Sequence, residues 1–211
     1  MKIAIDGPAA SGKGTLARTL AMKLSFDYLD TGTLYRAVAR EAIGKNLELS
    51  EENQSIQQLV EICNQLELPI SQDETLRNSD VAQAASKIAS LADVRSALVE
   101  KQREFAQNPP SGKGAVLDGR DIGTIILPDA DRKFYIDANI VVRAKRRHLE
   151  LEASGTEISN AEVLADLTER DAREKNRTTA PMIAADDAIF IDTTQKNAEE
   201  VLQLTLSFIE R

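Results

Sequence analysis

The apolar run Ile3-Ala4-Ile5-Asp6, followed without a break by Gly7-Pro8-Ala9-Ala10-Ser11-Gly12-Lys13-Gly14-Thr15, constrains this chain more than any other stretch. A buried strand, a glycine-rich turn and a helix in that order leave successive backbone N–H groups pointing into one concavity, where the positive end of the helix dipole favours an anion. The segment therefore reads as a loop that wraps nucleotide phosphates. Lys13 adds a mobile cation within reach of the outer phosphates, and the hydroxyl of Thr15 can hold a magnesium ion. A glycine-rich turn can also serve tight packing alone. Here, though, the whole loop with its lysine stands in the strand-loop-helix context that phosphate binding requires.

Further β-prone apolar runs stand at residues 28–29, 115–117, 134–136 and 189–191, and helical patterns at 12–24, 33–43, 140–153, 160–175 and 198–209. Alternation of this kind predicts an α/β fold, a parallel sheet with helices on both faces. Ser159 with Glu162, and Asn197 with Glu200, have the spacing of capping boxes and fix two helix starts. Between about 47 and 110 the sequence turns polar and helical, interrupted by Pro69 and by the polar stretch 71–80, and Asn108-Pro109-Pro110-Ser111-Gly112 closes it. It reads as an insertion between core elements. A shorter excursion at about 150–160, with Ser154-Gly155, reads as the tip of a lid. The expectation is one domain over residues 1–211.

A chain of 211 residues with 42% hydrophobic composition can bury roughly 70% of the surface its unfolded form exposes. Cys63 stands alone, which rules out an intramolecular disulfide and leaves an inert helix residue; His148 has no motif partner and reads as a surface residue, not a base. No leader-like segment follows Met1 and no run approaches the ~20 apolar residues of a membrane span, so a soluble cytoplasmic protein is expected. A net charge of −8 speaks against a general binder of nucleic-acid polymers. The basic residues instead concentrate at 143–147 and 170–177, as expected where arginines surround a small phosphorylated ligand. A monomer or weakly associating protein is the expected state.

Three more segments complete the pattern: Leu29-Asp30-Thr31-Gly32-Thr33-Leu34-Tyr35-Arg36, Leu117-Asp118-Gly119-Arg120-Asp121-Ile122-Gly123-Thr124, and Glu169-Arg170-Asp171-Ala172-Arg173-Glu174-Lys175-Asn176-Arg177. With the first loop they resemble the cytidylate kinases, a family of P-loop nucleoside monophosphate kinases. The resemblance spans nearly the whole chain, and the Gly-Lys-Gly-Thr spelling, with Gly14 where other P-loops carry Ser or Thr, is typical of such kinases. It implies ATP as phosphate donor with Mg²⁺, CMP or dCMP as acceptor, and residues 7–15 as the donor loop. It further implies that Lys13, Arg120, Arg170 and Arg177 catalyse, that Arg36 joins those arginines on the acceptor phosphate and the transferring group, and that Thr31 and Tyr35 lie near the acceptor. Guanidinium groups suit this work because they stay protonated and grip phosphate oxygens through paired hydrogen bonds.

The same resemblance assigns cytosine recognition to Asp121 and Arg103 with Ser86 beside them, and ribose contacts to Arg170 and to Glu174, where the family usually carries Asp. A carboxylate facing the exocyclic amine and a guanidinium facing the ring acceptors match cytosine and mismatch uracil. Asp118, at a strand end, either holds magnesium through water or caps a turn. Arg143, Arg146 and Arg147 either clasp ATP phosphates or form a solvated basic face. The insertion is too short for the small antiparallel β insert many relatives carry. A kinase for another small acceptor keeps Lys13 but gives Asp121 no base to read; a nucleotide-dependent switch is disfavoured because no guanine-reading Asn-Lys-x-Asp occurs.

Overall fold

The computed structural model describes residues 1–49, 53–68, 70 and 74–209. Five strands, β1 (Lys2–Asp6), β2 (Asp27–Asp30), β3 (Ala115–Gly119), β4 (Arg132–Asp137) and β5 (Ile189–Asp192), form one sheet in the order β2-β3-β1-β4-β5, every pair parallel. Each coincides with one of the apolar runs. Strand side chains alternate between faces. Ile3, Ile5, Val116, Phe134, Ile136 and Ile191 meet α1 (Lys13–Leu24) and α8 (Ala198–Ile209) on one side. Ala4, Leu29, Ala115 and Leu117 meet α2 (Thr31–Gly44) and the helices of the insertion on the other. Burial on both faces explains why the strands read as continuous apolar runs.

The 47–110 region supplies α3 (Asn53–Gln65), α4 (Ser79–Ile88) and α5 (Ala92–Gln107); α4 packs on α2 and α3 on α5. Pro69 and the first part of the polar stretch, 71–73, lie outside the described residues. Cys63 is buried in α3, where burial pushes its thiol up to about 12, as suits an inert residue. The excursion at about 150–160 connects two packed helices, α6 (Ile140–Ala153) and α7 (Asn160–Asn176), which meet through Leu151, Val163 and Leu167. Both capping boxes form: Ser159 with Glu162, and Asn197 with Glu200.

Two helix starts differ from the sequence expectation, each for a local reason. Gly12, at φ 93°, is the N-cap of α1 and not its first residue. Asp30 caps α2 by accepting from the Thr33 N–H at 3.2 Å, which starts that helix at Thr31. Because every strand runs the same way, all C-terminal ends lie along one edge of the sheet, where open α/β folds place their ligands. The register sets Asp6 opposite Gly119 and Asp30 opposite Asp118, so the segments after β1, β2 and β3 converge. Among the described residues no helix is long and apolar enough to cross a membrane.

Candidate active site

The loop leaving β1 is shaped by backbone constraints. A side chain at Gly7 would bring its Cβ to 2.0 Å from the Ile136 carbonyl oxygen, so only glycine lets the loop pass β4. No side chain caps the N-terminus of α1, which leaves its first N–H groups for an anion. The loop is braced from outside: Thr193 donates its hydroxyl to the Ser11 carbonyl at 2.8 Å, and Arg143 donates to the Ala9 carbonyl at 3.2 Å. Lys13 and Gly14 face one cleft, whereas Ala10, Gly12 and Thr15 line a separate depression with Arg146, Thr193 and Lys196.

Burial, followed by the like charge of Arg120, lowers the Lys13 amine to about 8. The amine is therefore charged below that pH and loses its proton above it, and only the charged form attracts a polyphosphate. Affinity for a nucleoside triphosphate is expected to hold up to about pH 8 and weaken beyond, with Lys13→Arg removing the decline. Dissociation constants measured across that range check this; an affinity level well above pH 8 in the parent protein would refute it.

Across the cleft stands a network of arginines. Glu174 on α7 accepts from Arg120 Nε at 2.6 Å and from Arg170 Nε at 2.8 Å, so both of its oxygens are occupied in fixing two guanidinium groups. These partners hold its carboxyl well below the usual range despite burial. Arg36 donates to Asp30 at 2.6 Å and to Thr33 at 3.0 Å. Arg177 is the C-cap of α7, where the backbone turns extended, and its Nε donates to the Ala180 carbonyl at 2.5 Å. Arg36 Nε and Arg177 Nη2 are buried without a hydrogen-bond partner. The cleft is lined by six basic side chains against four carboxylates, a positive site in a protein of net charge −8.

Thr31, Tyr35, Ser86, Asp118 and Asp121 join the same cleft. Thr31 donates to the Asp118 carbonyl at 2.7 Å, while the Asp118 carboxylate accepts from Tyr28 Oη at 2.6 Å. Burial and the neighbouring Asp118 and Asp30 carboxylates push the Tyr28 hydroxyl up, so it remains a proton donor. Ser86 Oγ accepts from Arg173 Nη1 at 3.2 Å, joining α4 to α7. Asp121 is buried and ion-paired with Arg95 Nη2, and Arg95 lies over the Tyr35 ring at 6.0 Å.

Several sequence expectations are corrected here. Arg103 does not reach the cleft: it donates to the carbonyls of Ile126 at 3.1 Å and Ile125 at 3.0 Å, on the outside of the turn Ile122–Ile126. Arg95, not singled out in the sequence, occupies the place beside Asp121. Its signal was present, because α5 buries Arg95, Leu98, Gln102 and Phe105 along one stripe, and a charge in an apolar stripe needs a buried partner. Arg143 is no free clasp, being buried with its guanidinium bound to Ala138, Ala9 and, at 2.5 Å, Asp171. Arg146 and Arg147 likewise bond to Thr193 and Glu150, and His148 lies 3.6 Å from Glu152, away from the cleft. Thr15 is exposed in the outer depression and does not share a lining with Asp118.

Asp6 was also missed, hidden in an apolar run. Its carboxylate accepts from the backbone N–H of Ile122 at 2.8 Å and of Gly123 at 2.7 Å. Burial raises its carboxyl to about 7, against the pull of those two donors toward the charged form. One side chain at the root of the phosphate loop thus pins the segment that carries Arg120 and Asp121.

A family model described as cytidylate kinase matches residues 3–211. The chain is 46% identical to the cytidylate kinase of Paramagnetospirillum magneticum over 211 residues, covering 98% of this chain and 96% of that one. It is also 46% identical to the cytidylate kinase of Methylocella silvestris over 210 residues, covering 100% and 94%. Among solved structures, an uncharacterized protein from Eubacterium ventriosum superposes with a TM-score of 0.55 at 14% identity, over 100% of this chain and 98% of that one, a likeness of fold alone.

Proposed function

The chain belongs to the cytidylate kinase family and phosphorylates CMP and dCMP with ATP, and from that premise we propose how the cleft divides the work. It acts as one P-loop kinase unit, in which residues 47–110 form the acceptor-binding insertion and about 150–160 the lid tip. ATP is seated with its phosphates on the backbone N–H groups of residues 7–15 and on Lys13. The acceptor phosphate is held by Arg36, Arg120, Arg170 and Arg177. An acceptor phosphate oxygen attacks the terminal phosphorus of ATP as the bond to the bridging oxygen breaks, and ADP leaves with that bond's electrons. No covalent enzyme intermediate is required. The residues contribute in-line positioning, neutralisation of two anionic groups and exclusion of water.

The buried, cleft-facing Asp121 paired with Arg95 carries the choice of base. Its carboxylate accepts from the exocyclic amine of cytosine, and the Arg95 guanidinium donates to the ring acceptors; uracil would present a carbonyl to the carboxylate. Tyr35, Thr31 and Ser86 close the pocket. Glu174 acts by orienting Arg120 and Arg170, each of its oxygens accepting from one of the two guanidinium groups.

The donor set suits magnesium. The described residues hold no cluster of three or more His, Cys, Asp or Glu side chains able to hold a metal ion, and the cleft offers the Asp118 carboxylate beside Lys13. Mg²⁺ characteristically takes one or two carboxylates and fills its remaining positions with phosphate oxygens and water. Asp118 would hold it, and the ion would supply further neutralisation of phosphate charge.

The test is ADP release with CMP, dCMP, UMP and AMP as acceptors, for the parent and for Asp121→Ala. CMP and dCMP are expected to be used in strong preference to UMP, with Asp121→Ala reducing the preference by about tenfold or more. An unchanged acceptor preference in the variant would remove Asp121 from base reading.

A further inference from the structure

Gly14 stands at the loop position where a hydroxyl follows the lysine in many phosphate loops, and its surroundings are unusual for a glycine with no conformational need. Its φ is not in the left-handed region, and a Cβ there would lie at ordinary contact distance, 3.6 Å from Asp118 Oδ2 and 3.9 Å from Tyr28 Oη. The place beside the lysine is therefore faced by a carboxylate and a phenol that are themselves bonded at 2.6 Å. Tyr28 reaches it from β2, across β3, with its ring half-buried against the core under α1.

We propose that Tyr28 is a positioning residue for phosphoryl transfer, its hydroxyl fixing the Asp118 carboxylate over Gly14. The Thr31 hydroxyl bonds only the Asp118 main chain, so Tyr28 is the side chain that orients the carboxylate itself. A carboxylate with one oxygen fixed by a charge-assisted hydrogen bond presents the other in a defined direction at no entropic cost during the reaction. The arrangement also separates packing from chemistry: the ring belongs to the core, the hydroxyl to the cleft. The proposal rests on the reading that Asp118 serves the transfer centre, and the experiment keeps the two apart.

Tyr28→Phe keeps the ring and deletes the hydrogen bond. It is expected to lower kcat by about tenfold, to leave KM for CMP within about twofold, and to keep the melting temperature within about 4 °C of the parent. The factor by which Mg²⁺ tightens ADP binding, read by calorimetry, is expected to shrink in the same variant. The double variant Tyr28→Phe/Gly14→Ser returns a hydroxyl to the carboxylate from α1, where a Cβ would stand 3.6 Å from Asp118 Oδ2, and is expected to recover part of kcat. Asp118→Asn is measured in parallel. If it is nearly inactive while Tyr28→Phe matches the parent in kcat and in Mg²⁺-linked ADP binding, the proposal is overturned and the reading of Asp118 stands. If Asp118→Asn retains parental activity, the reading falls and the proposal with it. Loss of activity in Tyr28→Phe that tracks a fall in melting temperature, with no recovery in the double variant, assigns the tyrosine to packing and also overturns the proposal.

Discussion

Arg120→Ala is expected to lower kcat/KM for CMP by about 10³-fold, the low end of what a positioned arginine contributes to phosphoryl transfer. The residue leaves the C-terminal end of β3 next to Gly119, which the register sets opposite Asp6 at the root of the phosphate loop. Its Nε is committed to Glu174 and one Nη to the Gly119 carbonyl at 3.2 Å, so the planar group is held in one orientation in the cleft that Lys13 lines. Arg120→Lys is expected to recover little, because an ammonium cannot both satisfy Glu174 and present a fork to phosphate oxygens. Glu174 keeps Arg170 in either variant, so the fold should persist. Steady-state kinetics alongside a melting curve decide the matter: a folded Arg120→Ala enzyme within tenfold of the parent would remove Arg120 from the transfer step.

The placement of Glu174 explains how so many arginines can share one small site. Arg120 and Arg170 repel each other, and each is buried at a cost that only a nearby anion offsets. One carboxylate between them supplies that anion while occupying a single edge of each guanidinium, leaving other N–H donors for phosphate. The acid is part of the anion site because it allows the cations to be preorganised before a substrate arrives. Asp6 plays the matching part for the backbone, tying the Ile122 and Gly123 amides to the strand from which the phosphate loop springs. The segments that leave the adjacent strands β1 and β3 are thus tied together by the Asp6 carboxylate, and Arg120 at the end of β3 is tied to α7 by Glu174.

What the sequence made legible was local. Strands, phosphate loop and capping boxes could be read because each is specified by neighbours a few residues apart, and a parallel sheet then forces their ends together. Arg120, Asp121, Arg170 and Arg177, which line one cleft with Lys13, each lie in a dense motif that draws attention to them in the sequence. Residues whose roles depend on distant partners were not legible: Asp6 reaches amides at Ile122 and Gly123, and Arg95 reaches Asp121 from an insertion helix whose packing no local rule dictates. Arg103 came from the resemblance alone, and Arg95, eight positions earlier on α5, stands in no motif that singles it out. Residue 95 falls on the stripe and residue 103 beside its edge.

That difference gives the sharpest contrast in the molecule. Arg95→Ala is expected to raise KM for CMP by about 100-fold, whereas Arg103→Ala should change it by no more than about threefold. Arg95 is 4% exposed and is the ion-pair partner of a buried Asp121, so its removal strands a charged carboxylate in a pocket with little water. Without that partner the carboxylate is no longer held in place and can turn toward water, which takes the group proposed to read the base out of position. The ring of Tyr35 loses the guanidinium above it as well. Arg103, by contrast, only staples the outside of the Ile122–Ile126 turn through two carbonyls and pairs with the exposed Glu100, contacts of modest worth. Arg95→Met, which keeps most of the side-chain volume, controls for a packing defect and should show the same rise in KM. If Arg103→Ala impairs CMP binding and Arg95→Ala does not, the cytosine pocket lies on the other side of that turn and the assignment of Asp121 fails with it.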